Sequence, residues 1–138
     1  MNDTKNWLVH DHSQYEENLN LCKEAINLAD WGKAGSIFEG LARQLKLHML
    51  QEEEEVYPTY AALVKISHDP TLTLRTEHNR IVSYVKDMQG FINTHDSANG
   101  LECLQQLKDL ISKHHEKEED IFLPMSGYVI NEKFEEVR

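Results

Sequence analysis

The sequence predicts an all-α protein, one bundle of four helices in an antiparallel, up-down-up-down course. Three observations lead to that class. Glycine and proline are scarce, six and three in 138 residues, so long stretches carry no helix breaker. Apolar residues recur in alternating steps of three and four along four separate segments, the spacing of a helix with one buried face. The second half of the chain also repeats the first at an offset of 66 residues: His12, His48, Glu52 and Pro58 return as His78, His114, Glu118 and Pro124. A hydrophobic fraction of 40% and a charged fraction of 28% are those of a globular chain, and the length suits one domain over residues 1–138.

The first helix carries the row Leu8, His12, Tyr15, Leu19, Cys22, Ile26 and Ala29. The segment from Asp30 to Gly35 is expected to break the chain before a second helix, whose row is Phe38, Leu41, Leu45, His48 and Glu52. Ser67 to Pro70 forms the next break, with Asp69 as the helix cap and Pro70 in the first helical position. The third row is Leu74, His78, Ile81, Val85, Met88, Ile92 and His95, the first row displaced by 66. A break from His95 to Gly100 precedes the fourth row, Leu104, Leu107, Ile111, His114 and Glu118, continuing to Ile121 and Met125. Such short connections make chain neighbours antiparallel. Pro58 and Pro124 are expected to kink or end their helices, and a short helix or tail follows Gly127.

The formal net charge of −10 lacks the basic footprint that nucleic acid or an anionic membrane requires, so neither is an expected partner. No apolar run is long enough to cross a bilayer and the first residues do not form a secretory signal, which makes the cytoplasm the expected location. Cys22 and Cys103 form no paired metal motif; they are expected reduced, with Cys22 packed as a small apolar side chain. Neither a glycine-rich phosphate loop nor a nucleophile elbow is present.

Six polar residues interrupt the core-facing rows: His12, His48, Glu52, His78, His114 and Glu118. An ionised carboxylate in an apolar interior costs several kcal/mol unless a cation meets it, and no Lys or Arg shares these rows. A bound metal is therefore the expected partner. The His and Glu of each His-x-x-x-Glu lie one turn apart on the same face, so they can serve one site together. Two glutamates from two helices can bridge a pair of ions and four histidines can complete them. Imidazole with carboxylate suits iron, and zinc or manganese fit the same donors; two irons with open positions agree best with the donor set. His115 and Glu119 form a competing pair about 100° around the helix; the repeat and the spacing to Pro124 favour His114 and Glu118. Glu53 and Glu54 are expected on a solvated face. Tyr15, one turn from His12, reads either as a core aromatic or as a hydrogen-bond partner behind the ligands. Asp11 and Glu77 precede the two repeated histidines and either orient an imidazole, relay protons or face solvent. His10, His68 and His95 read as surface residues, and Trp7 and Trp31 as lids on the bundle ends.

Taken together, Asp11-His12, His48-x-x-x-Glu52 leading to Tyr57-Pro58, Glu77-His78, and His114-x-x-x-Glu118 leading to Leu123-Pro124 resemble the hemerythrin-like HHE cation-binding domain over nearly the whole chain. The resemblance implies a hemerythrin-like antiparallel four-helix bundle and a non-haem di-iron centre bridged by carboxylates and an oxo or hydroxo group. Oxygen-carrying members place a second His four residues from the third-helix His, whereas Leu74 and Val82 stand here. The set of four His and two Glu is more similar to the domain of di-iron proteins that repair iron–sulfur clusters and respond to nitric oxide. The expected function is binding of a small diatomic ligand, dioxygen or nitric oxide, for sensing, delivery or scavenging. The alternative is a di-iron oxidoreductase or an iron–sulfur-cluster repair protein of nitric-oxide stress.

Overall fold

A computed structural model describes the backbone of residues 4–63 and 70–122 and the side chains of residues 13–62 and 70–122. Among the described residues there are helices and no strand. Helix α1 spans Thr4–Asn27 and α2 spans Trp31–Gln51; a π-helical turn, Glu52–Val56, joins α2 to α3, Tyr57–Leu63. Helix α4 spans Thr71–Asn93 and α5 spans Ser97–Phe122. Counting α2, the π turn and α3 as one rod, four long helices pack in a ring: α1 on α2 and α5, and α4 on α2 and α5. None of the described helices is long and apolar enough to cross a membrane.

The expected rows line the core. Tyr15, Leu19, Cys22 and Ile26 of α1 meet Phe38, Leu41 and Leu45 of α2, Ile81, Met88 and Ile92 of α4, and Leu104, Leu107 and Ile111 of α5, all buried. The rows depart from expectation at their ends. Ala29 is exposed, and Ile121 is only partly covered while Phe122, one turn after Glu118, is fully buried; His95 is exposed, as its reading as a surface residue expects. Both cysteines are free and buried, as expected for reduced thiols. The side chains of Trp7, His10, Asp11 and His12 lie outside the described ones, and His68, Asp69, Pro124 and the segment after Gly127 lie outside the described residues.

The breaks predicted at Asp30 to Gly35 and His95 to Gly100 are shorter than expected, three residues each, because an aspartate caps the next helix at once. Asp30 Oδ1 accepts from the Lys33 N–H at 3.2 Å, and Asp96 Oδ1 from the Asn99 N–H at 3.1 Å. The helices before them end alike. Ala29 and His95 both take φ 56°, and the N–H of the following aspartate reaches back to the carbonyl of Ala25 or Phe91 at 2.9 Å. This is the closure that leaves one residue in the left-handed region at a helix end. Corresponding residues of the two connections stand 66 apart. Trp31 stacks flat on His95 at 5.0 Å, so the two connections touch at one end of the bundle, with Trp31 as the lid expected of it.

Pro58 does not end its helix. An α-helical proline removes a backbone bond and presses on the carbonyl four residues before it. Here the chain widens into the π turn, the Tyr57 N–H bonds the Glu52 carbonyl five residues back, and Pro58 faces outward in α3. In a regular α-helix Tyr57 would point about 140° away from Glu52; the wider turn returns it near the same face, and both are fully buried.

Candidate metal centre

At the end of the bundle away from Trp31, α2, α4 and α5 turn polar side chains toward one another. Glu52, His78, His114 and Glu118 each offer an oxygen or nitrogen, and these atoms all lie within 4.8 Å of one another. His48, His115 and Glu118 form a second such group, so Glu118 belongs to both. All six residues are buried, Glu52 and Glu118 completely.

The inner atoms are close but not paired as a protein alone would pair them. His78 Nε2 lies 3.0 Å from Glu52 Oε1, His48 Nε2 is 2.9 Å from Glu52 Oε2, and His114 Nε2 is 3.2 Å from Glu118 Oε2. Nevertheless Glu52 Oε2 and His114 Nε2, both buried, have no hydrogen bond of acceptable geometry. Two buried carboxylates facing imidazoles need positive charge. Burial alone would lower the pKa of His114, but the carboxylates around it, Glu118 foremost, push it up to about 9. The carboxylates thus favour positive charge at this point, and their mixture with imidazole fits a transition metal.

Behind the inner atoms stand two acids that orient the rings. Glu77 Oε1 accepts from His114 Nδ1 at 2.8 Å, and its other oxygen pairs with Lys117. Burial opposes the charge on Glu77, yet Lys117 and His114 together hold its pKa below the usual carboxylate value. Glu77 therefore orients an imidazole, but that of His114 on α5 rather than of its chain neighbour His78. His78 is held instead by Glu53, whose Oε2 lies 2.6 Å from His78 Nδ1. Arg75 bonds the Glu53 carbonyl at 3.3 Å and lies 3.9 Å from its carboxylate. Glu53 was expected on a solvated face; the π turn rotates it toward α4, while Glu54 is exposed as expected. Each ring with a carboxylate on Nδ1 presents Nε2 to the centre, the usual arrangement behind a metal-bound histidine.

His114 and Glu118 face the centre as the repeat favoured, and His115 joins them there while Glu119 does not. His114 and His115 are both buried, and both stand within reach of Glu118, four and three residues on. A helix in a ring of four is covered on two sides: His114 faces His78 of α4 at 4.6 Å between ring centres, and His115 faces Tyr15 of α1 at 5.5 Å. Glu119 is half-buried. Tyr15 is a core aromatic whose hydroxyl donates to the Gln44 carbonyl at 3.4 Å, and its ring also meets His48 edge-on at 5.6 Å. A groove of about 330 Å³ between α1 and α5, lined by Ser13, Glu16, Lys108, Ser112 and Glu119, reaches His115.

Tyr57 is the residue that periodicity missed. Its Oη donates to Glu118 Oε2 at 2.7 Å and lies 3.1 Å from His78 Nε2 and 3.4 Å from Glu52 Oε1. Its ring stacks on His78 and Phe122, with the Arg75 guanidinium 5.3 Å from the ring centre. Without a cation beside it, burial and the adjacent Glu52 and Glu118 carboxylates raise its pKa. The proline after it and the run of four glutamates before it were the only local hints of an irregular turn.

Comparison with known proteins finds no match among curated proteins or solved structures. The family model for the hemerythrin HHE cation binding domain matches residues 3–126, nearly the whole chain and all of the centre just described. An all-helical fold and a buried cluster of histidine and glutamate agree with that match, and the chain belongs to the hemerythrin HHE cation-binding family.

Proposed function

We propose that this chain holds two iron ions and uses them to bind a small diatomic ligand, dioxygen or nitric oxide. Glu52, His78, His114 and Glu118 would hold the first ion and His48, His115 and Glu118 the second, with Glu118 common to both; His12, whose side chain lies outside the described ones, is the further ligand expected from the sequence. The observation that carries this reading is the sharing of Glu118 between two buried donor groups. Seven residues for two ions leave coordination positions for a ligand, and iron in these sites supplies reversible electron donation to it. The protein's own part is to orient the rings through Glu53 and Glu77 and to surround the centre with apolar side chains. The groove at His115 offers a route from solvent.

The same reading takes the four helices as an antiparallel, up-down-up-down bundle of two related halves. Two three-residue connections of the same design, 66 residues apart and touching through Trp31 and His95, support it.

Anaerobic loading with ferrous salt, followed by elemental analysis, tests the centre. Wild-type protein is expected to retain two irons per chain, Glu118→Ala to lose most of both, and Glu54→Ala to lose none. Addition of nitric oxide to the reduced protein is expected to change its visible spectrum stoichiometrically. A wild-type protein that takes up no iron would overturn the reading.

A further inference from the structure

The tyrosine at the middle of the centre sets one oxygen against three of the candidate ligands at once, Glu52, His78 and Glu118. Ligands at neighbouring corners of an octahedral ion, with bonds of about 2.1 Å, stand about 3 Å from one another. Tyr57 Oη lies 2.7 Å from Glu118 Oε2, 3.1 Å from His78 Nε2 and 3.4 Å from Glu52 Oε1, and the last two atoms are 3.0 Å apart. Those four separations match the edges that such a coordination shell would have. They join atoms from the π turn, from α3, from α4 and from α5. A phenol has one proton to give, and the 2.7 Å contact to Glu118 takes the larger share of it, leaving only a long, weak bond to the buried Glu52 Oε1 at 3.4 Å. A cation among them would be attracted by all three oxygens at once. Widening of the helix into a π turn, a feature that clusters at functional sites, is what brings the hydroxyl there.

From these contacts we infer that Tyr57 is itself a ligand, its phenolate oxygen binding the cation held by Glu52, His78, His114 and Glu118. The inference rests on the metal-centre reading above and adds a donor to it. When the oxygen–metal bond forms, the phenolic O–H bond breaks and the proton leaves to solvent, with no change in oxidation state. The ring is already fixed for this by His78 and Phe122 on its faces and Arg75 beside it. Tyr15, also buried near the centre, donates its hydroxyl to the Gln44 carbonyl at 3.4 Å.

The test is resonance Raman spectroscopy of protein loaded with ferrous salt and then oxidised, with iron content measured on the same samples. Ferric phenolate gives a visible charge-transfer band whose excitation enhances tyrosine ring vibrations, and these shift when the protein is made with ring-deuterated tyrosine. Wild-type and Tyr84→Phe protein are expected to show the enhanced vibrations, and Tyr57→Phe to lose them while still containing iron. Iron-loaded wild type without phenolate vibrations, or Tyr57→Phe that keeps them, would overturn the inference and leave the metal centre standing. Should Tyr57→Phe retain no iron, the isotope shift in the wild type decides alone: its presence supports ligation and its absence refutes it. Failure of the wild type to bind iron at all would instead be the failure of the metal centre.

Discussion

Glu53 and Glu77 occupy equivalent positions behind two imidazoles, although one sits in a run of acids and the other next to a histidine it does not orient. Each takes a hydrogen bond from an Nδ1 and is tied to a basic residue, Arg75 or Lys117. Removing the charge while keeping the shape isolates that role: Glu53→Gln and Glu77→Gln are each expected to weaken metal retention by about 10–100-fold, measured by competition with a chelator, whereas Glu54→Gln leaves it unchanged. Cys22 illustrates burial acting on a single group. Its thiol is pushed up to about 11 by burial, so the native protein should resist alkylation at pH 8 and react only on unfolding. The sign for stability follows. A thiol harder to ionise in the folded state than its usual value of 9.0 contributes fully below pH 9 and loses that contribution as pH rises toward about 11.

Among the elements, the two helix connections separate backbone strain from side-chain packing. A non-glycine residue in the left-handed region costs about 1–2 kcal/mol, and Ala29 and His95 both sit there at φ 56°. Ala29, exposed, has only the strain; Ala29→Gly is expected to stabilise by about 1 kcal/mol, raising the melting temperature by a few degrees. His95 also stacks on Trp31, so His95→Gly relieves the same strain while removing that contact, and its thermal melt should rise less or fall. Equal gains at both positions would mean that the stack contributes nothing. The π turn is irregularity of another kind, imposed by Pro58 and used to bring Tyr57 and Glu53 into the centre.

At the scale of the whole molecule the bundle has two unlike ends. One is closed by short capped connections and the Trp31–His95 stack; the other holds, among the described residues, three buried carboxylates and four buried histidines. Ligands that bind only the folded state stabilise it by mass action, and here the gain should be local. Hydrogen exchange with and without iron is expected to show added protection along residues 48–57, 74–78 and 111–118, and little change at residues 29–34 and 95–100. Uniform change along the chain would argue that the metal acts on the fold as a whole rather than at the centre.

The sequence by itself determined the helical class, the four rows and the inward direction of His48, Glu52, His78, His114 and Glu118. Those follow from a period of 3.6 residues and from spacings of four, which any helix obeys wherever it is placed. Only the tertiary structure decided that His115 joins His114 inside, because that depends on α1 covering the second side of α5. It alone turned Glu53 toward His78 and Tyr57 toward Glu118, because a π turn changes the phase of every residue after it and periodicity assumes a constant phase. The limits of the two breaks were decided the same way, by aspartates that cap and residues that accept a positive φ. What is local and periodic can be read along the chain; what depends on a neighbouring helix, or on one irregular turn, exists only once the chain has folded.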